Sequence, residues 1–253
     1  MPETRSFAAM PVEGWHVQDD GDAGSPDRNV ARDRLLGERV AAAGGPPTYR
    51  VWTNRRCIVV TRREARLPTF PQAVRASGEE GWPVVVRDSG GTAIPHLPET
   101  LQFTLALPRG PGHEPSIEAV YRALGTPVQQ ALARLGVDAS FGEVPRSFCD
   151  GRFNLVVDGR KVAGSAQRWT GGVPGSGGRG GFILAHLSLF VAGDMAGATE
   201  AVNRFLRRAG GPGGFDPEAV ASLSDLSALL PRNSALARAR TALLEAVAPD
   251  SGG

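Results

Sequence analysis

Lysine is nearly absent from this chain. Of its 28 basic residues one, Lys161, is lysine and the rest are arginine. Cysteines number 2, histidines 4, and aromatic residues make up 6% of the chain. Each shortage excludes something. Cys57 and Cys149 cannot build a disulfide framework and read as thiols of a reducing compartment, most simply the cytoplasm. His16, His96, His113 and His186 are scattered, without zinc-ligand spacing, so no metal is expected. No run approaches the roughly 20 uninterrupted apolar residues of a membrane span. The opening MPETRSFAAMPVEGW lacks a basic stretch followed by an apolar one, so no secretory signal is expected. A net charge of +2, with arginines interspersed among acids, lacks the clustered basic surface of a nucleic-acid binder.

What is present suffices for one sizeable core: 253 residues, 41% of them hydrophobic. Residues 1–27 are polar and aperiodic and read as a loose arm, 28–247 as a single domain, and 248–253 as a disordered tail. Helical spacing predicts helices over 29–43, 70–79, 116–135, 195–208 and 231–247, with Pro127 inside the third. Strands are predicted at 49–53, 57–61, 83–87, 91–95, 101–107, 139–143, 153–158, 161–168 and 182–190. Asp158-Gly159 is hairpin-turn chemistry. Between Thr170 and Gly181 lie seven glycines in twelve positions, without the Gly-Lys-Ser/Thr of a phosphate-binding loop. Strands interrupted by helices, with neighbours joined as hairpins, predict an α+β fold: a mixed, mostly antiparallel sheet flanked by helices.

Three segments could carry chemistry. In Arg87-Asp88-Ser89-Gly90-Gly91-Thr92, continuing to His96, a double glycine lets backbone approach a ligand, and Arg87 could bind a carboxylate or phosphate. Taken alone, such a turn reads as a hairpin. In Ser147-Phe148-Cys149-Asp150-Gly151-Arg152-Phe153-Asn154, Cys149 sits in turn chemistry. It reads equally as a nucleophile and as an inert half-buried thiol. Cys57, within an apolar run, reads as core.

In Lys161-Val162-Ala163-Gly164-Ser165-Ala166-Gln167, strand alternation predicts Lys161, Ala163, Ser165 and Gln167 on one face. Richness in Ala, Gly, Pro and Arg points to a coding bias that replaces lysine wherever a plain positive charge suffices. Lys161 is then a chance survivor, or a place that needs a compact ammonium with an adjustable proton.

Together, SGGTAIPH, DGRFNLVVDGRKVAGSAQR and the later apolar strand containing His186 resemble the lipoate-protein ligase and octanoyltransferase superfamily. The resemblance runs from Asn29 to about residue 247, through Arg50-Val51-Trp52 and PEAVASL at 217–223. It implies the α+β catalytic fold shared with biotin-protein ligases. It also implies attachment of an octanoyl or lipoyl chain to a carrier lysine. Ligases of this superfamily read Arg-Arg-x-Ser/Thr-Gly-Gly-Gly, whereas this chain has Val86 and Thr92 at the first and last of those positions. VRDSGGTAIP, ARLPTF and SFCDGRFNL are more similar to the cysteine-dependent octanoyl amidotransferases. That branch implies Cys149 as the acyl-carrying nucleophile and Lys161 as its active-site lysine.

The resemblance further implies substrate-binding roles for Arg87, Ser89, Gly90, Gly91, His96, Gly151, Arg152, Asn154, Ala163, Gly164, Ser165, Gln167 and His186. Ser89 to Gly91 and Ala163-Gly164 would wall an acyl tunnel. The two histidines stand either as tunnel or proton-transfer residues or as structural ones. The implied partners are an octanoylated carrier protein as donor and a lipoyl domain or glycine-cleavage H protein as acceptor, with no nucleic acid or membrane. No cofactor is expected for a transferase; a ligase would need ATP and Mg2+. A non-catalytic acyl- or carrier-binding module is the third alternative. His186, Glu99 and Gln102 depart from the amidotransferase pattern.

Overall fold

A computed structural model describes residues 15–22, 24–43, 45–109, 115–171 and 181–248. The elements are β1 (His16–Asp22), α1 (Pro26–Ala43), β2 (Thr48–Thr53), β3 (Cys57–Thr61), α2 (Phe70–Glu79), β4 (Val84–Arg87), β5 (Ile94–His96) and β6 (Thr100–Arg109). After them come α3 (Ile117–Arg134), β7 (Ser140–Gly142), β8 (Asn154–Val157), β9 (Arg160–Thr170), β10 (Gly181–Phe190), α4 (Met195–Ala209), α5 (Leu223–Leu226) and α6 (Arg232–Val247). Among the described residues, seven strands form a sheet in the order β1-β2-β6-β10-β9-β8-β7, and three form a small sheet, β4-β3-β5. Pairing is antiparallel except for β1 with β2 and β3 with β4. The expected mixed, mostly antiparallel sheet flanked by helices is therefore observed.

The near-continuous apolar run of β10 follows from burial on both faces. Ile183 and Leu187 join Leu105, Val120, Leu124 and Leu243 in the main core under α3 and α6. The alternate residues Phe182 and Leu184 pack with Leu36 and Val40 of α1. A further core gathers the small sheet, α2, α4 and Phe148. The segment that carries Cys149 thus hangs between the two sheets, with Phe148 in one core and Leu155 in the other.

The stretch read as a loose arm contains β1, whose His16 pairs with Thr48. Its sequence, HVQDDGD, has no strand propensity of its own, and tertiary contact decides the outcome. Arg50 of β2, wholly buried, reaches Asp20 at 2.6 Å and Asp33 of α1 at 2.6 Å, and lies over the Trp52 ring at 4.5 Å. Asp33 also accepts from Thr104 Oγ1 at 2.9 Å. Burial raises the Asp33 carboxyl pKa against the pull of Arg50. Arg50→Met leaves Asp33 buried without its cation, so we expect a loss of about 3–5 kcal/mol, read from urea melts at neutral pH.

Candidate active site

Cys149 lies in the turn between β7 and β8 with φ of 46°, a left-handed backbone rarely taken by a side-chain-bearing residue. Three side chains enforce it. Asn154, at the head of β8, donates from Nδ2 to the Cys149 carbonyl at 2.9 Å. Asp150 Oδ1 accepts from Val144 N at 3.1 Å, closing the loop on itself. The Cys149 amide donates to Thr92 Oγ1 at 2.9 Å. Thr92 returns the contact: its own amide donates to Cys149 Sγ at 3.0 Å. The loop after β4 and the turn before β8 therefore hold each other at the sulfur.

Gly91 makes that approach possible. Its φ is +100°, and a Cβ there would stand 2.5 Å from Cys149 Sγ and 2.9 Å from Arg87 Nη2. Gly91→Ala strains the backbone and pushes the sulfur aside. We expect about a hundredfold slower reaction of Cys149 with a small electrophile, a cost typical of a displaced reacting group, in protein that still melts cooperatively.

Arg87 ends β4 and is buried. Its Nη2 donates to Gly90 O at 3.0 Å, Thr92 O at 2.9 Å and Cys149 Sγ at 3.4 Å. Its other branch faces His186 Nε2 at 3.5 Å, which Ser89 Oγ also meets at 3.1 Å. The expected anion-binding arginine is thus occupied with shaping the loop and supplying charge to the sulfur. Burial pushes His186 down to about 3, helped by Arg87, so it is neutral and accepts from Arg87. His96 is likewise held at about 3 by burial. It contacts Asn54 Nδ2 at 3.2 Å and Ser188 Oγ at 3.5 Å, inside the protein.

Lys161 is wholly buried. The register pairs Leu155 with Ala163 but Val156 with Lys161, so Val162 is the extra residue of a β-bulge. Val162 and Ala163 both belong to the main core. The bulge reverses the parity, which overturns the expected shared face. Lys161 turns the other way, where its Nζ donates to Phe148 O and, at 3.3 Å, to Cys149 O. Gly164 leaves room for it; a Cβ would be 3.1 Å from Lys161 Cε. The ammonium thus lies under the Cys149 backbone.

These charges set the thiol. Burial alone would raise the Cys149 pKa, but Arg87, Lys161 and the donors of Thr92 outweigh it and hold the thiol below its ordinary value. Burial lowers Lys161 to about 8, opposed by Cys149 and Asp150. Cys57 is pushed up to about 12 by burial, an inert core thiol as its sequence context predicts.

A cleft of about 480 Å³ opens over Cys149. Gly90, Gly91, Gly151, Arg152, Asn154, Ser165 and Gln167 line it, as do Ile117, Tyr121 and Phe153. Tyr121 and Phe153 stack at 4.9 Å as its apolar wall. Arg87, Ser89, His96, Lys161, Ala163, Gly164 and His186 stand outside this lining. Most of them back the loops that form it, while Ala163 is core. Sequence reasoning passed over Thr92, seen only as a departure from glycine, and Tyr121, hidden in an amphipathic helix. Their signal was position: a hydroxyl directly after a double glycine, and a tyrosine near the start of the helix. Of the Gly-rich stretch from Thr170 to Gly181, residues 172–180 lie outside the described residues, as does His113.

Residues 25–248 match the family model described as the lipoyl protein ligase A/B catalytic domain. The chain is 46% identical over 198 residues to octanoyl-[GcvH]:protein N-octanoyltransferase of Kyrpidia tusciae, covering 76% of this chain and 66% of the relative. It is 30% identical over 222 residues to the protein of the same name in Geobacillus kaustophilus, covering 84% and 75%. A crystal structure of lipoate-protein ligase A bound with ATP superposes with a TM-score of 0.67 at 17% identity, covering 92% of this chain and 82% of that one. The bipartite lipoate protein ligase of Thermoplasma acidophilum gives 0.60 at 17% identity, covering 92% and 80%. The chain belongs to the lipoyl protein ligase A/B catalytic domain family.

Proposed function

We propose that the protein is an acyltransferase that moves an octanoyl group between carrier proteins through a thioester on Cys149. The observation that carries this reading is the Cys149 sulfur: it faces the cleft, its pKa is lowered, and a cation and a backbone amide hold it. Such a thiolate attacks the octanoyl carbonyl of the donor. The new C–S bond forms, the bond to the donor breaks, and the donor departs with a proton. The acceptor's lysine amine then attacks the thioester. The C–N bond forms, the C–S bond breaks, the thiolate is restored, and the amine gives up a proton to solvent in place of the one the donor took.

The relatives named octanoyl-[GcvH]:protein N-octanoyltransferase support GcvH, read as the glycine-cleavage H protein, as a partner here. A thioester on Cys149 can be loaded from that protein or discharged to it, and a lipoyl-domain lysine is the other partner. Acyl transfer between carriers balances without ATP or Mg2+. Arg87, which could have held a phosphate, is turned to the loop and the sulfur instead. Residues 28–247 act as one catalytic domain in this reading. Among the described residues no helix is long and apolar enough to cross a membrane. A reducing cytoplasm suits a free, ionised thiol.

The test is intact-protein mass spectrometry after mixing the full chain with octanoylated H protein, without ATP. A hydroxylamine-labile octanoyl adduct that disappears when a lipoyl domain is added supports the transferase. No adduct, but modification of the lipoyl domain by octanoate with ATP and Mg2+, would make the protein a ligase.

A further inference from the structure

Glu64 is a buried carboxylate that the mechanism above does not use. It opens a single 3-10 turn, Glu64–Arg66, just after β3, and is 7% exposed. Its two oxygens are fully engaged. Oε2 accepts from Thr61 N at 2.8 Å and Thr61 Oγ1 at 3.0 Å. Oε1 accepts from Ala93 N at 2.7 Å, across the gap to the loop between β4 and β5. All three donors are neutral, so the carboxylate is held by directed hydrogen bonds.

The Ala93 contact matters because of what shares its peptide unit. The N–H of Ala93 belongs to the same planar group as the carbonyl of Thr92. That carbonyl accepts from Arg87 Nη2 at 2.9 Å. The peptide is therefore gripped at both ends, by a carboxylate at the N–H and by a guanidinium at the C=O. One residue earlier, the Thr92 amide and hydroxyl hold Cys149 Sγ and the Cys149 amide. The orientation of the Thr92–Ala93 peptide thus fixes where Thr92 and Arg87 point, and both point at the sulfur.

We infer that Glu64 is a positioning residue for the nucleophile: it pins the Thr92–Ala93 peptide so that Thr92 and Arg87 hold Cys149 Sγ as a thiolate. The inference rests on the reading of Cys149 as the acyl-carrying residue, and deepens it. Glu64→Gln keeps the size but replaces one acceptor oxygen with an NH2 group. Facing two backbone N–H donors, the amide can satisfy only one of them, and the other is repelled. Glu64→Asp keeps the charge but is one methylene shorter, so it keeps Thr61 and gives up Ala93.

The experiment is the pH dependence of Cys149 alkylation by iodoacetamide in the full chain, followed by mass spectrometry, beside thermal melts and octanoyl-transfer kinetics. Both variants are expected to raise the midpoint of the alkylation profile by about one pH unit, leaving about tenfold less thiolate at pH values well below the wild-type midpoint. At those pH values the transfer kcat should fall about tenfold, with the KM for acceptor protein unchanged. A folded variant with the wild-type midpoint, even one that melts earlier, would overturn the inference and leave Glu64 a structural residue only. Amide exchange in the wild type gives a check that needs no variant. Ala93 N–H should be protected like the flanking strands, and rapid exchange there also overturns the inference. Failure of the wild type to take up octanoyl would sink the thioester reading alone, because the alkylation midpoint does not depend on it.

Discussion

Cys149→Ser should abolish the octanoyl-enzyme and lower octanoyl transfer by at least about a thousandfold. The substitution exchanges one chalcogen for a smaller one and leaves every surrounding contact in place. Thr92 still donates toward the side chain and still accepts the residue-149 amide. What changes is the proton. Arg87, Lys161 and the Thr92 donors hold the Cys149 thiol below its ordinary pKa, so it gives up its proton more readily. A serine hydroxyl lies many units higher, and the same cations cannot close that gap. Arg87 is a guanidinium and no base, and the Lys161 Nζ is turned to the Phe148 and Cys149 carbonyls, so neither is placed as the neutral base a hydroxyl would need. The variant should fold and melt like the wild type, so the loss is chemical. The measurement is single-turnover octanoylation by intact mass, with and without ATP. Retained transfer by Cys149→Ser in the presence of ATP would show that the cysteine is a bystander and that the family's ligase chemistry operates here.

The elements that positioned this site were legible wherever local chemistry decides structure. The hairpin at Asp158-Gly159 has φ values of 48° and 74°, the paired left-handed residues that this dipeptide favours. The strand 182–190 and the helices over 70–79 and 195–208 coincide with β10, α2 and α4 to within a residue. β1 was illegible because its strand state comes from Thr48–Thr53 alongside it and from Arg50 gripping Asp20. The bulge at Val162 was illegible for a different reason. Counting alternate residues presumes an unbroken pleat, and a single extra residue reverses every face beyond it. The residues gathered around the cleft were therefore within reach of the sequence, whereas their directions were not. Arg87 reads from sequence as a residue that could bind a carboxylate or phosphate; that its guanidinium meets Gly90, Thr92 and Cys149 could not be read there.

Lys161→Met should cost about a hundredfold in octanoyl-enzyme formation at neutral pH while leaving the fold as stable as before. The two halves of this prediction have one cause. Burial lowers the ammonium pKa from 10.5 to about 8. A basic group whose pKa is depressed on folding binds its proton more tightly in the unfolded chain. Below about pH 8 both states are protonated and the folded state bears the full cost of burying the charge, of the order of 3 kcal/mol. That cost is relieved as pH rises from about 8 toward the unfolded value and is gone above it. Methionine carries no such cost, but it leaves the Phe148 and Cys149 carbonyls without their donor, a loss of roughly 1–3 kcal/mol each. The opposing effects are of equal size, so urea melts at pH 7 should differ little. Activity has no such compensation. The ammonium is one of the two cations that lower the Cys149 thiol, and removing it returns the thiol toward the protonated form. The pH profile of single-turnover acylation should show both groups. In the wild type the rate climbs as Cys149 ionises and falls as Lys161 loses its proton near pH 8. In Lys161→Met the climb shifts to higher pH and the fall near 8 disappears. A wild-type profile that stays level through pH 9 would mean that the ammonium's charge is not what the reaction needs from Lys161.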